Sequence, residues 1–144
     1  MFKSIVWATD GSENAENALA LVQELAEQGD ATVTIMHVVE RIEGFGAVGQ
    51  ARRVDEKELQ RHFQEVADGL SARGINATLK VSGDVGVRPA HEIVNAAREQ
   101  GADLIVAGTR GHSPIGGLLL GSVTNRLLHI APCPVLVVPP SATG

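Results

Sequence analysis

Asp103-Leu-Ile-Val-Ala-Gly108-Thr-Arg-Gly111-His-Ser-Pro-Ile-Gly-Gly-Leu-Leu-Leu-Gly121-Ser122-Val123 is the stretch whose reading decides the fold. Its first part, 103–107, is a short, largely apolar run of the kind that forms a strand buried on both faces. The glycines that follow let the backbone approach a ligand closely and adopt positive φ. From Ser122 onward, Val123, Leu127 and Ile130 recur at the spacing of one helix face. A helix start leaves N–H groups unpaired and carries partial positive charge, so strand, glycine loop and helix start together read as a cradle for phosphate.

The same alternation of periods runs through the rest of the chain. Residues 3–9 form a β-branched and apolar run that ends at Asp10-Gly11-Ser12, a turn with Ser12 as a helix cap. Ala18, Leu19, Val22, Leu25 and Ala26 then mark a helix face, stopped near Gly29. Residues 31–39 read as a second strand and 76–81 as a third. Between them lie a glycine-containing loop at 40–50, long enough to act as a covering flap, and an amphipathic helix from about Asp55 to Arg73. Ala90, Ile93, Val94 and Ala97 line a third helix, 103–107 is the fourth strand, and 135–138 the fifth.

Five strands alternating with four helices call for an α/β fold, because parallel neighbours need crossover helices and these cover both sheet faces. We expect a single domain over residues 1–144, a doubly wound five-stranded parallel sheet of order 3-2-1-4-5 with helices on both faces. Ligands of such sheets bind outside the carboxyl ends of the strands, where strand order reverses. Asp10, His37-Val38 and Gly108 stand at three such ends, so Asp10 reads as a ligand group and not merely as a cap.

Composition removes several function classes. The formal charge of −5 gives no electrostatic reason to approach nucleic acid or an anionic membrane. Three Phe, one Trp and no Tyr are too few to stack single-stranded bases. The first apolar run stops at Thr9-Asp10, before a signal peptide or membrane span could form, so a cytoplasmic location is expected. The single Cys133, set between Pro132 and Pro134, reads as a buried structural thiol. The histidines at 37, 62, 91, 112 and 129 show no metal spacing, and no metal site is expected. His37 reads as a satisfied strand-end residue, and His62 and His129 as helix-surface residues. No serine stands in a hydrolase elbow, and no catalytic residue is expected.

The cradle is not a Walker loop, since no Gly-Lys-Ser/Thr follows the glycines and residues 81–144 contain no lysine. The first strand-turn lacks the dinucleotide Gly-x-Gly-x-x-Gly, carrying Asp10-Gly11-Ser12 instead. The spacing that is present is Gly108, two residues, Gly111, nine residues, Gly121-Ser122. It resembles the nucleotide-binding signature of the universal stress protein family. Ile5 to Ser12, Met36-His37-Val38-Val39, Leu118 to Val123 and Ala131-Pro-Cys-Pro-Val-Leu-Val-Val138 are similar to family landmarks in the same order.

That resemblance implies an ATP site. Asp10 would accept hydrogen bonds from the ribose. Val38 would meet adenine through its backbone, with Ala8, Thr9 and Ala107 lining the same crevice. Gly108 and Gly111 would let the loop close on the phosphates. Gly121, Ser122 and Val123 would supply N–H groups and one hydroxyl at a helix start, and Arg110 and His112 are local candidates for phosphate charge. Asp10 is the one carboxylate available to hold Mg2+ through water. The implied function is ATP binding that biases conformation or partner choice in a stress response. Two alternatives stand beside it: a slow ATPase or nucleotide-dependent transferase, and a dimeric interaction module without nucleotide. The run 135–138 would lie at a sheet edge, and an apolar edge strand invites pairing with a second copy, so a homodimer through it is expected.

Overall fold

A computed structural model describes residues 1–11, 17–39, 46–83, 88–109 and 121–139, with residues 46–55 given by their backbone alone. The elements run β1 (Ser4–Thr9), α1 (Leu19–Gly29), β2 (Thr32–Val38), α2 (Gly46–Ala72), β3 (Ala77–Ser82), α3 (Pro89–Glu99), β4 (Leu104–Gly108), α4 (Ser122–Ile130) and β5 (Val135–Val138). The strands form one five-stranded sheet in the order β3-β2-β1-β4-β5. Every neighbouring pair is parallel, with Thr9 opposite His37, Trp7 opposite Val106 and Ala107 opposite Val137. This is the doubly wound order expected from the alternation of periods.

The two-residue period of the strands divides the apolar side chains between two layers. Ile5, Trp7, Val33, Ile35, Leu104 and Val106 pack with Val22 and Ala26 of α1 and Phe63, Ala67 and Leu70 of α2. Val6, Ala8, Met36, Ile105 and Ala107 face the other way, against Ala90, Ile93, Val94 and Ala97 of α3 and Leu127 of α4. The inner strands β1 and β4 are therefore apolar on both faces, and each fully buried large side chain contributes about 1.5–3 kcal/mol.

At the amino end of the sheet, Asp103 ties β4 to the entry of β1. Its carboxylate accepts the backbone N–H of Lys3, at 3.1 Å and 2.8 Å to its two oxygens, and that of Ser4 at 3.1 Å. Burial by itself would raise the pKa of Asp103. The backbone donors of Lys3 and Ser4 outweigh it and hold the carboxyl below the ordinary carboxylate range. The Lys3 ammonium donates to the Gly29 carbonyl at 2.7 Å, placing positive charge at the carboxyl end of α1.

Two helix starts differ from expectation. α2 begins at Gly46, so 46–50 belongs to a 27-residue helix and not to the loop read at 40–50. The loop reading leaned on the glycines. Gly49 inside a helix costs only about 1 kcal/mol against Ala, which the rest of so long a helix absorbs. Residues 40–45, where the flap would remain, lie outside the described residues. α1 begins at Leu19, with Ala18 at its cap position and Asn17-Ala18 in a turn, so the helix starts later than the apolar spacing suggested. The expected Ser12 cap lies outside the described residues.

Candidate functional site

The order of the sheet reverses at β1, which sits between β2 and β4. The chain leaves β1 at Thr9, β2 at Val38 and β4 at Gly108, so these ends lie side by side at one edge. Ala8 and Thr9 are buried, Asp10 half-buried, and Ala107 and Gly108 buried beside them. Val38 is half-buried at the end of β2 and packs toward the layer of α3 and α4.

The described chain breaks off after Thr109 and resumes at Gly121. The Gly121 N–H donates to the Thr109 carbonyl at 2.7 Å, so the exit and re-entry points are in contact. Thr124, buried in the first turn of α4, donates its hydroxyl to the Gly108 carbonyl at 2.6 Å. The first intrahelical bond of α4 runs from the Asn125 N–H to the Gly121 carbonyl at 2.9 Å. The N–H groups of Ser122, Val123 and Thr124 thus precede the ladder and have no carbonyl partner within the helix. Gly121 at the cap position has no side chain to take them up. This is the donor set that suits an anion, at the end of β4.

The turn after β1 is shaped by its own hydroxyl. The Gly11 N–H donates to Thr9 Oγ1 at 3.2 Å, and Gly11 has a φ of +81° that L side chains rarely adopt. A Cβ at Gly11 would also run into the side chain of Leu59 on α2. One step away, His37 Nδ1 lies 3.1 Å from the Thr9 carbonyl, and Nε2 lies 3.1 Å and 3.0 Å from the two carboxylate oxygens of Glu56. The Phe63 ring packs on the imidazole with centroids 4.9 Å apart. Glu56, Leu59 and Phe63 form one stripe of α2, spaced by three and four residues, against the end of β1 and β2.

Of the residues expected at the site, Ala8, Thr9, Asp10, Val38, Ala107, Gly108, Gly121, Ser122 and Val123 all fall on this edge. Ser122 is exposed and Val123 half-buried. Arg110, Gly111 and His112 lie outside the described residues. Sequence reasoning missed Thr124 and Glu56. Thr124 had a local signal, a hydroxyl in the first turn of a helix that follows a glycine loop. Glu56 had none, because its partner is 19 residues away in sequence. His37 is the satisfied strand-end residue expected, and His62 and His129 are exposed on α2 and α4. Cys133 is half-buried, less than expected. Its partial burial, with the nearby charge of Asp103, pushes the thiol pKa up. Among the described residues, no cluster of His, Cys, Asp and Glu could hold a metal, and no helix is long and apolar enough to cross a membrane.

Residues 1–139 match the sequence profile of the universal stress protein family. The chain belongs to that family. The universal stress protein of the QAH/OAS sulfhydrylase 3' region in Thermus aquaticus is 34% identical, with 96% of this chain and 99% of that protein covered. Among solved structures, the hypothetical protein MJ0577 is 28% identical and superposes with a TM-score of 0.79 over 98% of both chains. A universal stress protein in complex with cAMP is 25% identical, with a TM-score of 0.70 over 97% of this chain and 98% of its own. The five-stranded order is thus that of universal stress proteins.

Proposed function

We propose that this universal stress protein binds an adenine nucleotide, with ATP as the ligand, at the carboxyl ends of β1, β2 and β4. The observation that carries the reading is the junction of Gly108 and Thr109 with the start of α4. It puts three helix-start N–H groups and Ser122 at the carboxyl end of β4, the neighbour of β1 in the sheet. The similar protein in complex with cAMP supports an adenine nucleotide as the ligand class.

Residues present fit such a group by the chemistry of their donors. The α4 start, with Gly121 and Ser122, would take the phosphates, and Gly108 would leave room for them. The Asp10 carboxylate would accept from ribose hydroxyls, and Mg2+ would reach it through water. Val38, Ala8, Thr9 and Ala107 would border the base. The site serves binding that biases conformation or partner choice in a cytoplasmic stress response, with residues 1–144 acting as one nucleotide-binding domain. A second copy would pair along β5, whose four half-buried apolar residues lie at the sheet edge.

Denaturing the purified protein and identifying released nucleotides by chromatography and mass spectrometry tests the site. We expect an adenine nucleotide from the wild type and none from Gly121→Val. A wild type that carries none and gives no heat with millimolar ATP would overturn the reading.

A further inference from the structure

α3 starts at the same edge of the sheet as the crevice. Its first turn is fixed there by the Ser82 hydroxyl, which donates to Glu92 Oε2 at 2.9 Å, and Ser82 stands opposite Val38 in the register of β2 and β3. From that point α3 runs over β2 and β1 and packs against α4, whose first turn is tied to Gly108 by Thr124. The starts of α3 and α4 therefore flank the layer to which Ala8, Val38 and Ala107 belong.

The step of about 100° per residue assigns the sides of α3. Glu92 and Glu99 share one side, which meets β3, Glu92 through Ser82 and Glu99 through an ion pair with Lys80. Ala90, Ile93, Val94 and Ala97 form the buried face next to it. His91 falls beyond that face, on the side turned away from β3 and toward β1 and α4. This is the side of the crevice. His91 Nδ1 is buried there, and among the described residues it has no hydrogen-bond partner.

An imidazole nitrogen closed off from water and left unpaired carries the desolvation cost of a bond not made. Nearly all buried polar side-chain atoms are satisfied, so an exception beside a crevice calls for a partner that arrives from outside the fold. Position says which part of the ligand that partner is. The phosphate donors stand at the start of α4, at the end of β4, and Asp10 follows the end of β1. His91 instead lies on the turn held at the level of Val38, where the proposed site has the base. The edge of adenine offers ring-nitrogen acceptors and an amino donor, so an imidazole nitrogen can pair with it in either sense.

We propose that His91 is a base-contacting residue of the nucleotide site, with Nδ1 completing a hydrogen bond to the adenine edge. This rests on the nucleotide reading above and adds to it a side-chain contact that recognises the base. The unpaired nitrogen is then a cost to the nucleotide-free protein that binding relieves.

His91→Leu keeps a side chain of similar volume and removes both nitrogens, and His91→Asn returns an amide close to the position of Nδ1. Titration calorimetry should show His91→Leu binding ATP and AMP each about tenfold more weakly, the equivalent of one hydrogen bond, with part of the loss recovered in His91→Asn. Urea unfolding without nucleotide should find His91→Leu at least as stable as the wild type, because the unsatisfied atom is gone. Unchanged affinity in His91→Leu would overturn the proposal. A loss confined to ATP would put the contact on the phosphates and equally defeat it, and a lower unfolding midpoint would mean that the nitrogen serves the fold.

Nitrogen NMR of the unaltered protein reads the contact without a substitution. The His91 Nδ1 resonance should move on saturation with AMP and hold still with inorganic tripolyphosphate. A resonance that ignores bound AMP, or that moves with tripolyphosphate, counts against the assignment whatever the variants do. A wild type that binds neither nucleotide overturns the proposed function and this inference with it. A wild type that binds both, matched by His91→Leu, overturns this inference alone.

Discussion

Thr124 and Gly108 are joined by a 2.6 Å hydrogen bond from hydroxyl to carbonyl, across 16 residues of sequence, and both residues are buried. The bond fixes where α4 begins relative to the end of β4. Together with the Gly121 to Thr109 backbone bond, it makes the two sides of the glycine stretch a single corner. The position of the helix-start donors therefore depends on a side chain that need not touch ligand at all.

Replacing Thr124 by Val keeps the shape and removes the donor. The Gly108 carbonyl is then left without that partner in a buried place, a loss of about 1–3 kcal/mol. Urea unfolding should show the midpoint falling with an unchanged slope, and nucleotide affinity should fall as the corner loosens. Thr124→Ser, which keeps the hydroxyl, should recover most of both. Equal stability in the Val variant and the wild type would show that the bond does not hold the corner.

Gly83 sits where β2 and β3 end together. The Val39 N–H donates to the Ser82 carbonyl at 2.7 Å, and a Cβ on Gly83 would collide with the Val39 carbonyl. Its φ of +152° is one that L side chains rarely adopt. Gly83→Ala is expected to destabilise the fold by more than about 1 kcal/mol, measured by chemical denaturation, because backbone and not a flexible side chain is in the way.

The fold was legible because each element announces its period. Val33, Ile35 and Val106 mark strands, and Ala90, Ile93, Val94 and Ala97 mark a helix face, so the order of types follows without long-range information. The site edge was legible for the same reason: Asp10, Val38 and Gly108 are each the last residues of a strand or next to it. What stayed hidden depends on tertiary contact. The Glu56 partner of His37 lies on a helix whose start was itself obscured by Gly46 and Gly49, residues with a loop bias that helix packing overrides. The Thr124 bond was hidden because a hydroxyl early in a helix reads equally well as bonding its own backbone.

Acid stability should carry the signature of Asp103. Burial opposes its charge, but the Lys3 and Ser4 N–H groups favour it more, so its folded pKa lies below the unfolded value of about 3.9. A depressed carboxyl contributes stability that is complete above the unfolded value and is lost as pH falls through the folded one. Asp103→Asn should therefore lower stability at neutral pH and flatten the acid limb of the stability curve below about pH 4. Parallel acid limbs in the two proteins would rule this out.

Cys133 should show the opposite sign. Its partial burial first, and the charge of Asp103 second, favour the neutral thiol, so its folded pKa lies above the ordinary thiol value of about 8.5. The folded state then holds the thiol proton more tightly than the unfolded chain. This contribution is complete below the unfolded value and disappears as pH climbs through the folded one. Since the thiolate is the reacting form, alkylation by iodoacetamide in the folded protein should reach its half-maximal rate at higher pH than in a denatured control. Asp103→Asn removes the nearby negative charge and should move that midpoint part of the way back down, leaving the share due to burial. A folded-state midpoint at or below that of the denatured control would contradict both causes.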